Sequence, residues 1–203
     1  MGRVRWLLGL ITAAAASASC GDVARQGRAP VYLVMNSLAG APGSKPSAFS
    51  ATLASDVMTN ITSPPPCSTT TPCATVFGDP GQVILSLSMK DISVSPSPNN
   101  SVTITRYHVD YIRTDGRNTP GVDVPYAFDG AVTGTISGTA AVTLGFVLVR
   151  NIAKEEAPLV QLRNNPDIIT TIARVTFYGT DQVGNGINVT GQIQIDFGNF
   201  SDS

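Results

Sequence analysis

The chain has 203 residues, of which 42% are hydrophobic and only 13% charged, with a formal net charge of −1. Past the first 19 residues it keeps 11 basic and 14 acidic side chains, a formal charge of −3 with no basic cluster. Nucleic-acid binding needs a basic face to neutralise phosphates. A polybasic membrane patch needs the same, so the composition argues against both.

The N-terminus reads as an export signal. Arg3 and Arg5 precede 13 uncharged residues, Trp6 to Ala18, rich in Leu and Ala, and small residues lead to Cys20. That is the order of a secretory signal, and the apolar run is shorter than the roughly 20 residues a membrane span needs. The four residues Ser17-Ala18-Ser19-Cys20 resemble a bacterial lipobox, the motif ending in the cysteine that is lipidated and becomes the mature N-terminus. Ser17 stands where the motif has Leu, which leaves ordinary signal-peptidase cleavage after Ala18 or Ser19 open. The resemblance implies a signal peptide over 1–19, a lipidated Cys20 with a tether over 20–29, and one domain over 30–203.

The cysteine count is consistent with that division. Cys67 and Cys73 lie close together in a stretch rich in Pro, Ser and Thr, and are expected to form a disulfide in an oxidising compartment. An odd cysteine in an exported chain needs an explanation. A lipid on Cys20 supplies one.

From Pro30 onward the dominant pattern has period two, the mark of half-buried strands. Val31, Leu33 and Met35 open the fold, and Leu53, Val57 and Ile61 form a weaker strand. Val83, Leu85, Leu87 and Met89 alternate with polar residues. Over 102–113, Val102 and Ile104 share one phase and Tyr107, Val109 and Tyr111 the other, which predicts a bulge near Thr105-Arg106. A long loop follows over 115–130, with Asp115, Arg117, Asp123, Tyr126, Phe128 and Asp129. Val142, Leu144, Phe146 and Leu148 mark a strand whose second face carries Val147 and Val149, the pattern of a central strand. Residues 151–156 allow one helical turn, which Pro158 ends. The chain closes with a hairpin over 171–197. Its Asn185-Gly186 pair suits a turn that needs positive φ, and Gly191 interrupts its apolar face as a bulge or a close backbone approach.

Seven to nine such strands with polar turns predict an all-β, antiparallel β-sandwich. The run Arg174-Val175-Thr176-Phe177-Tyr178-Gly179-Thr180-Asp181-Gln182-Val183-Gly184-Asn185, followed by an alternating strand, resembles the last hairpin of bacterial immunoglobulin-like domains. Together with the lipobox, it makes the chain similar to bacterial envelope lipoproteins carrying such a domain. That resemblance implies an immunoglobulin-like sandwich but no catalytic residues, and the fold carries no particular function.

Candidate sites are few. His108 is the only histidine, and no Gly-x-Ser-x-Gly elbow supplies a nucleophile. Glu155 and Glu156 are the only glutamates, and as neighbours they cannot flank one glycosidic bond. No cofactor or metal site is expected. The 115–130 loop is the best binding surface, since long loops on rigid scaffolds carry function. Its Asp115, Asp123 and Asp129 make calcium conceivable, without the spacing of an EF-hand. Sugar binding is weakened because the sole tryptophan, Trp6, leaves with the signal.

The reading is a non-enzymatic lipoprotein of the bacterial cell envelope, anchored to a membrane, acting as an interaction or structural module for an envelope protein. The alternative is a ligand-, glycan- or calcium-binding module, periplasmic or at the cell surface. Without the lipid the chain would be periplasmic or secreted.

Overall fold

A computed structural model describes residues 28–200. Cys20 and the signal fall outside the described residues. The described chain is all-β: β1 (Val31–Gly40), β2 (Thr52–Asp56), β3 (Thr59–Ile61), β4 (Cys73–Thr75), β5 (Asp79–Met89), β6 (Val102–Ile112), β7 (Phe128–Ile136), β8 (Val142–Val149), β9 (Ile169–Asp181) and β10 (Gly186–Gly198). Two sheets face each other, one ordered β1-β5-β8 and the other β2-β10-β9-β6-β7, and β3 with β4 forms a separate short pair.

The sandwich follows from alternation. Leu33, Val83, Leu85 and Leu144 of one sheet bury against Val109, Val175, Phe177 and Ile195 of the other. At its centre Tyr107, Phe146 and Phe177 meet with ring centroids 5.1–6.0 Å apart. Each such apolar side chain taken from water contributes about 1.5–3 kcal/mol. The expected bulge in β6 lies between Ile104 and Arg106, where the register against both β7 and β9 shifts. It returns Tyr107, Val109 and Tyr111 to the core face.

Several expectations need correcting. Among the described residues the two facing sheets hold eight strands, within the expected seven to nine, and β3 with β4, three residues each and too short to show a period, adds a separate pair. The Leu53–Val57–Ile61 strand is really two, β2 and β3. The sandwich is not wholly antiparallel. β2 runs parallel to β10, because after Gly40 the chain doubles back, with Ser50 paired antiparallel to Gly40, and turns again before entering β2. β8 is an edge strand, bonded to β5 alone; Val147 is exposed, while Val149 is buried. Side chains from the facing sheet take up backbone groups of this edge. Tyr107 Oη accepts from the Val147 N–H at 3.1 Å and Tyr111 Oη donates to the Leu148 carbonyl at 2.7 Å. Burial pushes both phenols above their ordinary pKa.

The last turn is also built differently. Its positive φ is at Gly184 (+85°) rather than at Asn185 or Gly186. The Asp181 carboxylate holds it, accepting from the Val183 and Asn185 backbone N–H groups and from Asn185 Nδ2. Gly191 is a close approach and not a bulge: its pairing with β9 is regular, and a Cβ there would stand 2.1 Å from Met35 Sδ.

Candidate functional site at the crown of the sandwich

Strand direction divides the molecule into two ends. Ala29 and the start of β1 lie beside the end of β5, and the starts of β6 and β10 lie beside the ends of β7 and β9. This end, the base, carries the connections 90–101, 137–141 and 182–185. The opposite end, the crown, carries 41–51, the β3–β4 segment, 113–127 and 150–168, which is most of the connecting chain.

The expected binding loop is at the crown but spans 113–127; Phe128 and Asp129 belong to β7, where Phe128 pairs with Val109 and Asp129 with His108. Asp115 organises the first half. It accepts from Arg113 Nη2 at 2.6 Å, from Arg117 Nη2 at 2.9 Å, and from the Arg117 backbone N–H at 3.1 Å. The Arg113 hydrogen bond, then that of Arg117, holds its carboxyl well below the usual carboxylate range. Gly116 takes φ +82° to allow this turn. Asp123 fixes the second half by accepting from the Thr119 N–H at 3.2 Å. Gly121, at φ +74°, lies under the Tyr126 ring, where a Cβ would stand 2.3 Å from Oη. The result is a loop held by its own hydrogen bonds, with Arg117, Val122 and Tyr126 exposed.

The three expected aspartates do not converge. Asp115 pairs with arginines of its own loop, Asp123 caps a turn, and Asp129 faces His108 Nδ1 at 3.2 Å and Arg106 at 3.5 Å on the outer face of the larger sheet. Among the described residues no three His, Cys, Asp or Glu are placed to hold a metal ion. Arg106 also lies 3.8 Å from the Tyr178 ring centroid, and Arg174 pairs with Asp110 on the same face. Glu155 and Glu156 are exposed at the end of the 3-10 helix Asn151–Glu155.

Sequence reasoning missed the charged centre beneath the crown. Lys154, within the stretch expected to make one helical turn, is 1% exposed, and so is its partner Asp79. Lys154 Nζ donates to Asp79 Oδ1 and to the Asp56 carbonyl, both at 2.8 Å. Asp79 also accepts from the Gly43 N–H at 2.8 Å and from Ser55 Oγ at 2.5 Å. Burial pushes the Asp79 carboxyl up, against the lowering by Lys154, Ser55 and Gly43. One ion pair thus ties together the 41–51 loop, β2, β5 and the 150–168 segment. Arg163 extends it by donating to the Lys154 carbonyl, and Asn199 donates to the Arg163 carbonyl. One signal was available: Ser55 sits between Leu53 and Val57 in their buried phase, a polar residue where the pattern asks for an apolar one.

Cys67, in the β3–β4 connection, and Cys73, the first residue of β4, are joined as a disulfide, as expected. Beside it an open groove of about 530 Å³ is lined by Pro42, Lys45, Asp56, Thr59, Asn60 and Phe200. No known family, no curated protein and no solved structure matches the chain.

Proposed function

We propose that the chain is a non-enzymatic lipoprotein of the bacterial cell envelope, an immunoglobulin-like module held to a membrane through Cys20 that presents its crown to an envelope protein. The observation that carries this reading is the segregation of the connections. The structured loops, the disulfide and the buried ion pair gather at one end, and the chain comes in at the other. A scaffold anchored at its base holds such a crown away from the membrane, where a partner reaches it. The strand order supports the immunoglobulin-like part: β10-β9-β6-β7 follows the sheet of variable-type domains, with β1-β5-β8 opposite.

The test is site-specific photo-crosslinking in intact cells. Probes at Val122 and Tyr126 should give one discrete heavier band, and a probe at exposed Thr143 on β8 should give none. Membrane-bound protein with no band from either crown position would refute the partner reading. The groove beside the disulfide favours a second reading, a small-ligand module, because its volume falls in the range of ligand sites. In that case thermal stability rises with a periplasmic small-molecule extract, and Asn60→Ala abolishes the rise.

A further inference from the structure

The base has a chemistry of its own. Ile92 is 99% exposed, Val183 80% and Val94 48%. Ile92 and Val94 belong to the β5–β6 connection and Val183 to the β9–β10 turn, so two separate loops present apolar tips at one end of the sandwich. Exposed apolar residues scattered singly need no explanation; three at the end where the chain comes in do. The charges around them are engaged. The Asp91 carboxylate accepts from the Ser93 N–H and Oγ at 2.9 and 2.6 Å, and Lys90 lies 5.3 Å from the Tyr32 ring centroid. Asp181, 7% exposed, is occupied in holding its turn.

Chain length decides what these tips face. Eight residues lie between Cys20 and Ala29, the first buried residue among those described, and the stretch spans about 30 Å at full extension. β10 alone, with 13 residues, is about 40 Å long. A lipid on Cys20 therefore cannot reach past the crown, and the base is the end held toward the bilayer.

We infer that Ile92, Val94 and Val183 form a second membrane contact, dipping into the interfacial layer of the bilayer that holds Cys20. The inference rests on the lipid-anchor reading above and adds the surface that orients the domain. Apolar side chains at the headgroup boundary strengthen a lipid anchor in proportion to the area they bury. Two tips on one rigid sandwich also fix its tilt, which a single lipid anchor alone cannot do.

Tryptophan fluorescence tests this cleanly, because the sole tryptophan, Trp6, precedes Cys20 and is absent from processed protein. Full-length, membrane-processed Ile92→Trp, Val183→Trp and, as the crown control, Val122→Trp are reconstituted in phosphatidylcholine vesicles with and without brominated acyl chains. The N-terminal peptide is weighed in each. The expected result is a diacylglyceryl mass on Cys20, with bromolipid quenching of the reporters at 92 and 183 and none at 122. Lipidated, vesicle-bound protein with unquenched reporters at 92 and 183 overturns the membrane contact and leaves the anchor standing. Quenching at 122 overturns the orientation. A peptide without the lipid mass, with protein that does not float with vesicles, removes the anchor and this inference with it.

Discussion

Replacing Lys154 by methionine probes the ion pair that holds the crown. Methionine keeps most of the volume of the lysine stem and removes the ammonium. Asp79 then keeps two donors, Ser55 Oγ and the Gly43 N–H, but loses its countercharge at a site 1% exposed, and the Asp56 carbonyl loses its donor. Breaking a buried pair on one side costs about 3–5 kcal/mol, because the remaining charge is buried and unpaired. For a domain of this size each kcal/mol moves the melting temperature by roughly 2–4 °C. The expected fall for Lys154→Met is therefore on the order of 10 °C, read by circular dichroism on the Cys20→Ala background. The double variant Asp79→Leu/Lys154→Met removes both charges together, and such replacements are often neutral or stabilising. It should melt above either single variant. A Lys154→Met protein within about 1 kcal/mol of the parent would refute the reasoning, since the pair would then not be excluded from water.

Cys67→Ser/Cys73→Ser should cost roughly 2 kcal/mol by opening a small loop, and unreduced parent protein should resist thiol labelling at both positions. Gly179→Ala should cost about 1–3 kcal/mol, because its Cβ would stand 2.5 Å from the Thr103 carbonyl oxygen; Gly145→Ala, with nothing within 4 Å, should be nearly silent in the same melt. Asp115 has its pKa lowered in the fold, so its contribution to loop order is present above the unfolded carboxylate range and is lost only as pH falls through the depressed value. Carboxyl chemical shifts should show Asp115 still ionised at about pH 4, where free aspartates are half protonated; protonation there would contradict the arginine clamp. His108→Ala should leave the melt within about 0.5 kcal/mol of the parent and the crosslinked band unchanged.

Legibility in the sequence followed the length of each pattern. β5 and β9 run 11 and 13 residues with nearly every second residue buried, and the second half of the 13-residue β10 does the same; such runs state both strand and core face. The β6 bulge was readable for the same reason: a phase change needs a long strand on either side to be visible. β3 and β4, at three residues, carry no phase. The edge position of β8 was unreadable because Val147 and Val149 look like a second buried face. Val149 is covered, whereas Val147 is 44% exposed on an edge whose backbone groups are taken by Tyr107 and Tyr111. Asp115, Asp123 and Asp129 suggested a shared site by residue type alone, but Asp115 is held by Arg113 and Arg117, Asp123 caps a turn, and Asp129 lies on β7 beside His108 and Arg106. Lys154 and Asp79 are 75 residues apart, and their meeting depends on tertiary packing that no local pattern records.

β1 begins at the base and β10 ends at the crown, and β2 runs parallel to β10 there. A tension applied between Ala29 and Gly198 therefore pulls along the strands. The β1–β5 and β9–β10 ladders are loaded in shear, with their hydrogen bonds sharing the force together, rather than peeled open one at a time. The long ladder of β10, paired with β9 from Gly186 to Phe197, suits the module to bearing force between whatever holds one end and whatever grips the other.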